Sequence, residues 1–213
     1  APGGRFSSYA MESLKAGHVV EVMAPTGNFQ LQLNKINKKQ YIAFAVGSGI
    51  TPVIALIKSV LREEVQSRVS LIYGNRARND IIFREELEAL KNTFTDRLQL
   101  IYIFSREKAD ASIYEGRIDT AKCELIFKYL VPLNKDAEFL LCGPSPMIFG
   151  VRDWLLQQKI ATSKIHYELF ANQGDPVFDP LEKSVVSQLI IQQERHFPLR
   201  PEGVGQAVQL PHS

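Results

Sequence analysis

The chain has 213 residues and a mass of 24.0 kDa, with 45% hydrophobic and 23% charged side chains. This composition is typical of a globular protein with a sizeable core, and it excludes global disorder. The net charge of +2 and the lack of an apolar stretch of about 20 residues predict neither a nucleic-acid nor a membrane partner. Its two cysteines, Cys123 and Cys142, are too few for a disulfide framework, which favours a cytoplasmic location. Two cysteines and four scattered histidines also predict no metal site.

Short β-type segments dominate residues 1–38. His18–Met23 and Asn28–Leu33 are predicted strands, and a turn-forming sequence separates them. Two strands are too few to fold alone, because an isolated pair is marginally stable in water. We therefore interpret this region as the last part of an antiparallel β-domain.

Residues 39–171 alternate between strands and helices. The predicted strands are Tyr41–Val46, Arg68–Tyr73, Leu98–Phe104, Glu138–Cys142 and Ile165–Phe170. The predicted helices are Pro52–Gln66, Asp80–Lys91, Asp119–Leu130 and Pro146–Gln158. This alternation predicts an α/β fold with a five-stranded, doubly wound parallel sheet.

The last part of the chain changes character again. Residues 172–183 have the composition of a linker. Ser184–Ile191 and Glu194–Leu199 are predicted to pair as a hairpin. We interpret residues 184–213 as the beginning of a further domain.

A glycine-rich turn separates the first strand of the sheet from the helix after it. Its residues are Gly47, Ser48, Gly49, Ile50, Thr51 and Pro52. Glycine lets the backbone approach a ligand, the N-terminus of a helix attracts an anion, and Pro52 suits the first helical position. The turn therefore predicts a site for the pyrophosphate of a dinucleotide. The alternative is a plain strand-to-helix turn, which a bare Gly-x-Gly would favour without the buried strand and amphipathic helix around it.

Small or basic residues follow the other strands of the predicted sheet. They are Gly74, Asn75 and Arg76, then Ser105 and Arg106 with Arg117 further along, and then Cys142, Gly143 and Pro144. Guanidinium and hydroxyl groups suit phosphate oxygens, so Ser105 and Arg106 predict a site for a ribose 2′-phosphate. Taken alone, each arginine is better explained as a solvated surface charge.

Two further side chains are candidates for chemistry at the end of the sheet. The thiol of Cys142 could pack against a flat aromatic ring or simply fill the core. Glu168 could carry a proton or be a solvated carboxylate. A cysteine nucleophile is not predicted, because no base lies near either cysteine in the sequence.

Together these motifs resemble the ferredoxin–NADP reductase superfamily. Gly47–Pro52 is similar to its pyrophosphate turn, Cys142–Met147 to its nicotinamide-side motif, and Pro2–Ser7 to its flavin-phosphate turn. The resemblance implies that NADPH is bound by the turns described above and by Met147, with the nicotinamide between Thr51 and Cys142. It also implies that FAD is bound near Gly3, Gly4, Phe6 and Ser7, with Glu168 and Phe170 near the flavin edge.

A closer resemblance is to the reductase subunits of phenylacetyl-CoA ring-epoxidising monooxygenases. It rests on Tyr73–Arg76, Phe83–Leu87, Ser105–Glu107 and Gly116–Asp119. It implies that electrons pass from NADPH through FAD and a 2Fe–2S cluster to a di-iron oxygenase component. Residues 1–38 would then end an FAD-binding β-barrel, residues 39–171 would form the NAD(P)-binding domain, and residues 184–213 would begin a ferredoxin domain whose cluster ligands are not in this chain. The alternatives are a reductase of another oxygenase or hydroxylase, or a non-catalytic nucleotide-binding regulatory domain.

Overall fold

The computed structural model describes residues 5–22, 24, 27–169 and 206–209. Strands are β1 (Val19–Val22), β2 (Gln40–Val46), β3 (Arg68–Asn75), β4 (Leu98–Phe104), β5 (Glu138–Gly143), β6 (Ile165–Leu169) and β7 (Gln206–Gln209). Helices are α1 (Arg5–Glu12), α2 (Ile50–Glu63), α3 (Arg84–Thr93), α4 (Thr120–Tyr129) and α5 (Ser145–Gln157). The chain divides into two compact units, Ala1–Gly27 with Pro176–Ser213, and Asn28–Asp175. The division of the chain into the four segments 1–38, 39–171, 172–183 and 184–213 stays a prediction.

The first unit contains a small antiparallel sheet. Strand β1 pairs with β7, with Val19 opposite Gln209 and Val22 opposite Gln206. The predicted strand His18–Met23 is thus confirmed over Val19–Val22, while its partner was not foreseen. The predicted hairpin of residues 184–199 lies outside the described residues.

The second unit is built on a parallel sheet with the order β4-β3-β2-β5-β6. The predicted five-stranded parallel sheet is therefore confirmed. The chain runs outward from β2 through β3 to β4 and then returns to β5 on the other side of β2. This reversal creates a topological switch point between β2 and β5, where open α/β sheets bind their ligands.

Hydrophobic side chains cover both faces of this sheet. Alternate residues of β2 enter opposite clusters, so that Ile42 and Phe44 pack with α4 and α5, whereas Ala43 and Ala45 pack with α2 and α3. This arrangement explains the uninterrupted apolar run of the strand, because neighbouring side chains point to opposite faces and both faces are buried. The doubly wound architecture is confirmed.

Three predictions about local structure were wrong. Residues 28–33 form no strand; Phe29, Leu31 and Leu33 alternate because they pack partly buried against the α2 face of the sheet. Helix α2 begins at Ile50, which makes Pro52 its third residue, although a proline N–H is not needed anywhere in the first turn. Helix α3 begins at Arg84 rather than at residue 80, because residues 78–80 form a separate 3₁₀ turn. Among the described helices, none is long and apolar enough to cross a bilayer.

Candidate functional site

An open groove of about 790 Å³ lies at the carboxyl ends of the strands in the second unit. Four neighbouring strands contribute to it. The predicted residues that line it are Gly47, Ser48, Gly74, Asn75, Arg76, Ser105, Arg106, Arg117, Gly143, Pro144 and Met147. Two carboxylates, Asp80 and Asp119, also line the groove and were not predicted as site residues.

The turn after β2, which we call the Gly47–Pro52 turn, contains two glycines with different roles. A Cβ on Gly49 would lie 2.2 Å from the carbonyl oxygen of Cys142, so this glycine lets the turn pack directly against the end of β5. Gly47 has a φ of +54°, and a Cβ there would have no neighbour within 4 Å. The expectation that both glycines serve ligand approach therefore needs correction, since Gly49 is buried and serves packing.

Hydrogen bonds hold the carbonyl groups of this turn. The Thr51 hydroxyl donates to the Ser48 carbonyl at 3.0 Å, and the Tyr73 hydroxyl donates to the Gly47 carbonyl at 2.9 Å. The turn leads directly into α2, a helix of 14 residues. Its N-terminus, next to the groove, can therefore attract an anion.

Asn75 is a buried polar residue at the end of β3. Only 7% of the residue is exposed, and neither the nitrogen nor the oxygen of its side-chain amide makes a hydrogen bond of normal geometry within the described structure. The amide is nevertheless close enough to the Tyr73 hydroxyl to lower the pKa of that group, against the larger effect of burial. A buried amide without partners costs about 1–3 kcal/mol. A polar ligand in the groove would remove this cost, so a nucleotide fits the residues that are present.

The basic side of the groove is formed where β3 and β4 end. The backbone hydrogen bonds between β3 and β4 continue beyond the ends of both strands. The Ser105 amide donates to the Asn75 carbonyl and the Arg106 amide donates to the Arg76 carbonyl, each at 2.9 Å. Backbone pairing thus brings these four predicted residues side by side. The Gly116 amide donates to the Phe104 carbonyl at 2.8 Å, and this bond brings the segment that contains Arg117 back to the end of β4.

The loop between β4 and α4 is held by charged side chains that the sequence analysis did not single out. Glu115 accepts hydrogen bonds from the Ala109 amide at 3.1 Å and from the Lys108 ammonium at 3.0 Å, and these bonds lower its pKa. The buried Lys122 ammonium donates to the Ile113 carbonyl at 2.9 Å. These contacts shape the loop that carries Arg117.

The arginines at the groove differ in their partners. Arg78 forms an ion pair with Glu107 at 3.1 Å, so its charge is already compensated. None of the acidic side chains in the described part of the chain forms such a pair with Arg76, Arg106 or Arg117, and all three are exposed. Three guanidinium groups are therefore available to an anionic ligand. We call Arg76, Ser105, Arg106 and Arg117 the basic end of the groove.

Cys142, near the end of β5, and Glu168, beside it on β6, do not line the groove. Cys142 is fully buried on the α2 face of the sheet, and its pKa is raised to about 11 by burial and by the charge of Glu168. Glu168 is half-buried and pairs with Cys142 in the β5–β6 register. Burial also raises the pKa of Cys123 to about 12. Both thiols thus stay protonated near neutral pH, and contact between Cys142 and a nicotinamide stays a prediction.

The remaining predicted site residues do not line the groove. Ile50 is buried in the core, whereas Thr51 is exposed and Pro52 is partly exposed. Phe6 and Ser7 lie in the first turn of α1, in the other unit, and 70% of Phe6 is exposed. Gly3, Gly4 and Phe170 lie outside the described residues.

A comparison with protein families assigns the region that carries the groove. Residues 44–153 match the family described as oxidoreductase NAD-binding domain, and the match covers just over half of the chain. The chain belongs to this family of NAD-binding oxidoreductase domains. Its fold is that of the ferredoxin reductase-like domains, because solved structures with the same fold include a ferredoxin-NADP⁺ reductase.

Curated relatives resemble the chain over most of its length. One of the subunits of 1,2-phenylacetyl-CoA epoxidase from Escherichia coli is 39% identical, over 82% of this chain and 49% of that protein. Human NADH-cytochrome b5 reductase 1 is 32% identical, over 68% of this chain and 52% of that protein. The ferredoxin reductase component of the Mycobacterium tuberculosis 3-ketosteroid-9-alpha-monooxygenase is 29% identical, over 81% of this chain and 44% of that protein.

Solved structures show the same fold. The cytochrome b5 reductase domain of Ulva prolifera nitrate reductase superposes with a TM-score of 0.63 at 28% identity. The alignment covers 78% of this chain and 64% of that domain. The chain spans about half the length of the curated relatives it matches.

Proposed function

We propose that the chain is the NADPH-binding part of a flavin-dependent reductase that supplies electrons to the oxygenase component of a multicomponent monooxygenase. The observation that carries this proposal is the order of groups along one sheet edge. A helix N-terminus lies at the switch point, the unpartnered Asn75 amide lies beside it, and the unpaired arginines follow. This order matches the pyrophosphate, ribose and 2′-phosphate of NADPH.

The residues of the groove would bind and orient the dinucleotide. The Gly47–Pro52 turn would hold the pyrophosphate, and Asn75 would hydrogen-bond to the adjacent ribose or phosphate. Ser105 and Arg106, with Arg76 and Arg117, would bind the 2′-phosphate through charge-assisted hydrogen bonds. When bound, the nicotinamide supplies a hydride to the flavin. Thr51, Cys142 and Glu168 remain the proposed neighbours of the reacting rings.

The flavin and the cluster differ in how well this chain accommodates them. Phe6 and Ser7 lie in the first turn of α1, whose amide groups suit the phosphate proposed for FAD. The chain's own cysteines do not fit a 2Fe–2S cluster, because two buried thiols cannot supply a four-cysteine set. A cluster would need ligands from outside this sequence.

The names of two relatives support an oxygenase as the partner. One is a subunit of phenylacetyl-CoA epoxidase, and another is the ferredoxin reductase component of a 3-ketosteroid monooxygenase. The higher identity of the first favours the phenylacetyl-CoA ring-epoxidising di-iron monooxygenase as the system that this chain serves. A reductase for another oxygenase is the second candidate, favoured by the similarity to the steroid system.

The 2′-phosphate assignment can be tested by replacing Arg106 with alanine. Loss of one charged hydrogen bond costs about 1.5–3 kcal/mol, so Arg106→Ala should weaken NADPH binding by roughly tenfold or more. NADH binding should change little, because NADH lacks the 2′-phosphate. The matched control is Arg78→Ala, since Glu107 already pairs with that guanidinium. Titration calorimetry measures both coenzymes, and equal losses for NADPH and NADH would contradict the assignment.

Catalysis needs a separate test. Stopped-flow absorbance of the flavin-loaded protein mixed with NADPH should show bleaching of the flavin. Binding of NADPH without bleaching would favour the non-catalytic regulatory domain instead.

A further inference from the structure

Tyr73 reaches the edge of the groove from a fully buried position in β3. Its hydroxyl donates to the Gly47 carbonyl at 2.9 Å and accepts from the Ile82 amide at 3.3 Å. Burial raises the pKa of Tyr73 to about 12, so the hydroxyl keeps its proton near neutral pH. Because the Ile82 amide occupies an acceptor position, the single hydroxyl proton is directed at Gly47.

This hydrogen bond fixes a peptide plane in the Gly47–Pro52 turn. A trans peptide is planar, so its carbonyl and its amide N–H point in opposite directions. When the Gly47 carbonyl is bonded to the buried hydroxyl, the N–H of Ser48 is turned to the opposite side. Ser48 itself is exposed and lines the groove. Gly47 has a φ of +54°, one of several backbone conformations that glycine adopts easily, and its carbonyl also accepts a hydrogen bond from the Ile50 amide within the 3₁₀ turn. The Tyr73 hydroxyl adds the side-chain contact that, together with this backbone bond, fixes the orientation of the peptide.

We propose that Tyr73 is a positioning residue for dinucleotide binding: its hydroxyl holds the Gly47–Ser48 peptide so that the Ser48 amide is presented to the pyrophosphate. This inference deepens the proposed function and rests on it. It separates two contributions to affinity. The pyrophosphate contribution depends on Tyr73 and is common to NADH and NADPH, whereas the basic end of the groove contributes only to NADPH.

Tyr73→Phe removes the hydroxyl and keeps the ring. Titration calorimetry on the full chain should show Kd rising about three- to tenfold for both NADPH and NADH, as expected for one lost hydrogen bond. The Kd of adenosine 2′-monophosphate, which has no pyrophosphate, should stay unchanged. The matched control is Tyr102→Phe, because Tyr102 lies 6.3 Å from the Tyr73 ring and its buried hydroxyl has no hydrogen-bond partner in the described structure.

Each outcome decides the proposal. Unchanged dinucleotide affinity in Tyr73→Phe overturns it, and so does an equal loss for adenosine 2′-monophosphate, which would indicate general damage. Failure of the parent chain to bind either coenzyme would contradict the proposed function instead. Amide hydrogen exchange without ligand is a second measurement. Residues 47–51 should exchange faster in Tyr73→Phe than in Tyr102→Phe, and equal exchange overturns the proposal even if the variant is unstable.

Discussion

Gly49 shows what residue-level reading of a sequence can and cannot provide. The motif singled out the turn, because glycines after a buried strand let the backbone turn sharply. It could not assign their roles, since the partner of Gly49 is the backbone of Cys142, which is far away in the sequence. Asn75 is a similar case: its position was predicted, but its buried and unsatisfied amide emerges only from the packing around β3.

Gly49→Ala should destabilise the protein by about 1–3 kcal/mol, the usual cost of overpacking, because its Cβ would overlap the Cys142 carbonyl. The control is Gly150→Ala in α5, where a Cβ meets no atom within 4 Å. That change should stabilise by roughly 0.5–1 kcal/mol, because alanine favours a helix over glycine. Urea unfolding monitored by circular dichroism measures both, and equal stability of the two variants would contradict the packing role.

At the level of elements, Glu64 fastens the segment before β2 to the end of α2. The buried carboxylate accepts hydrogen bonds from the Asn37 amide at 2.6 Å, the Ser67 hydroxyl at 2.7 Å, the Tyr41 hydroxyl at 2.9 Å and the Asn34 backbone amide at 3.1 Å. Burial raises the pKa of Glu64, but the four hydrogen bonds outweigh it, and the pKa lies below its usual value. A buried charge satisfied in this way holds residues 34–41 in place.

Glu64→Gln should lower the free energy of unfolding by about 2 kcal/mol near neutral pH, because one carboxylate oxygen becomes an NH₂ group that faces donors. The control is Glu63→Gln, since Glu63 is the exposed neighbour and loses the same charge. Chemical denaturation at pH 7 compares the two variants. A loss no larger than that of the Glu63 variant would contradict the fastening role.

The same carboxylate predicts a dependence of stability on pH. Its pKa is lower in the folded state, so its stabilisation is fully present above the unfolded pKa of about 4.3 and is lost as pH falls through the folded pKa. In Glu64→Gln, the decline of stability below about pH 4 should therefore be shallower than in the parent. Unfolding curves at several acidic pH values measure the slope, and parallel slopes would contradict the assignment.

The elements themselves were largely predictable, and the exceptions have physical reasons. Buried parallel strands leave continuous apolar runs, so every strand of the large sheet was located to within two residues where it is described. Residues 28–33 have the alternating hydrophobic pattern of a strand, but they pack against the α2 face of the sheet without pairing with another strand. The start of α3 was missed because Phe83, with a φ of 59°, stands before it, and no local pattern announces that conformation.

At the scale of the whole molecule, the unit Asn28–Asp175 has hydrophobic clusters on both faces of its sheet and contains the entire groove. A unit with its own core is expected to fold independently. Residues 28–175 expressed alone should therefore melt cooperatively and bind NADP⁺ with a Kd within about threefold of the whole chain. Calorimetry measures both properties. A non-cooperative melt, or loss of binding, would show that the first unit is required.

The burial of Cys123 and Cys142 has a practical consequence. Cys123 lies in α4 and Cys142 in β5, and the two side chains pack on opposite faces of the same sheet. Neither thiol is exposed or ionised near neutral pH. A maleimide dye would consequently leave the native protein unlabelled and attach only after the sheet opens. The two native thiols thus form a built-in reporter of unfolding, and a single cysteine introduced on the surface could carry a fluorophore without prior removal of either one.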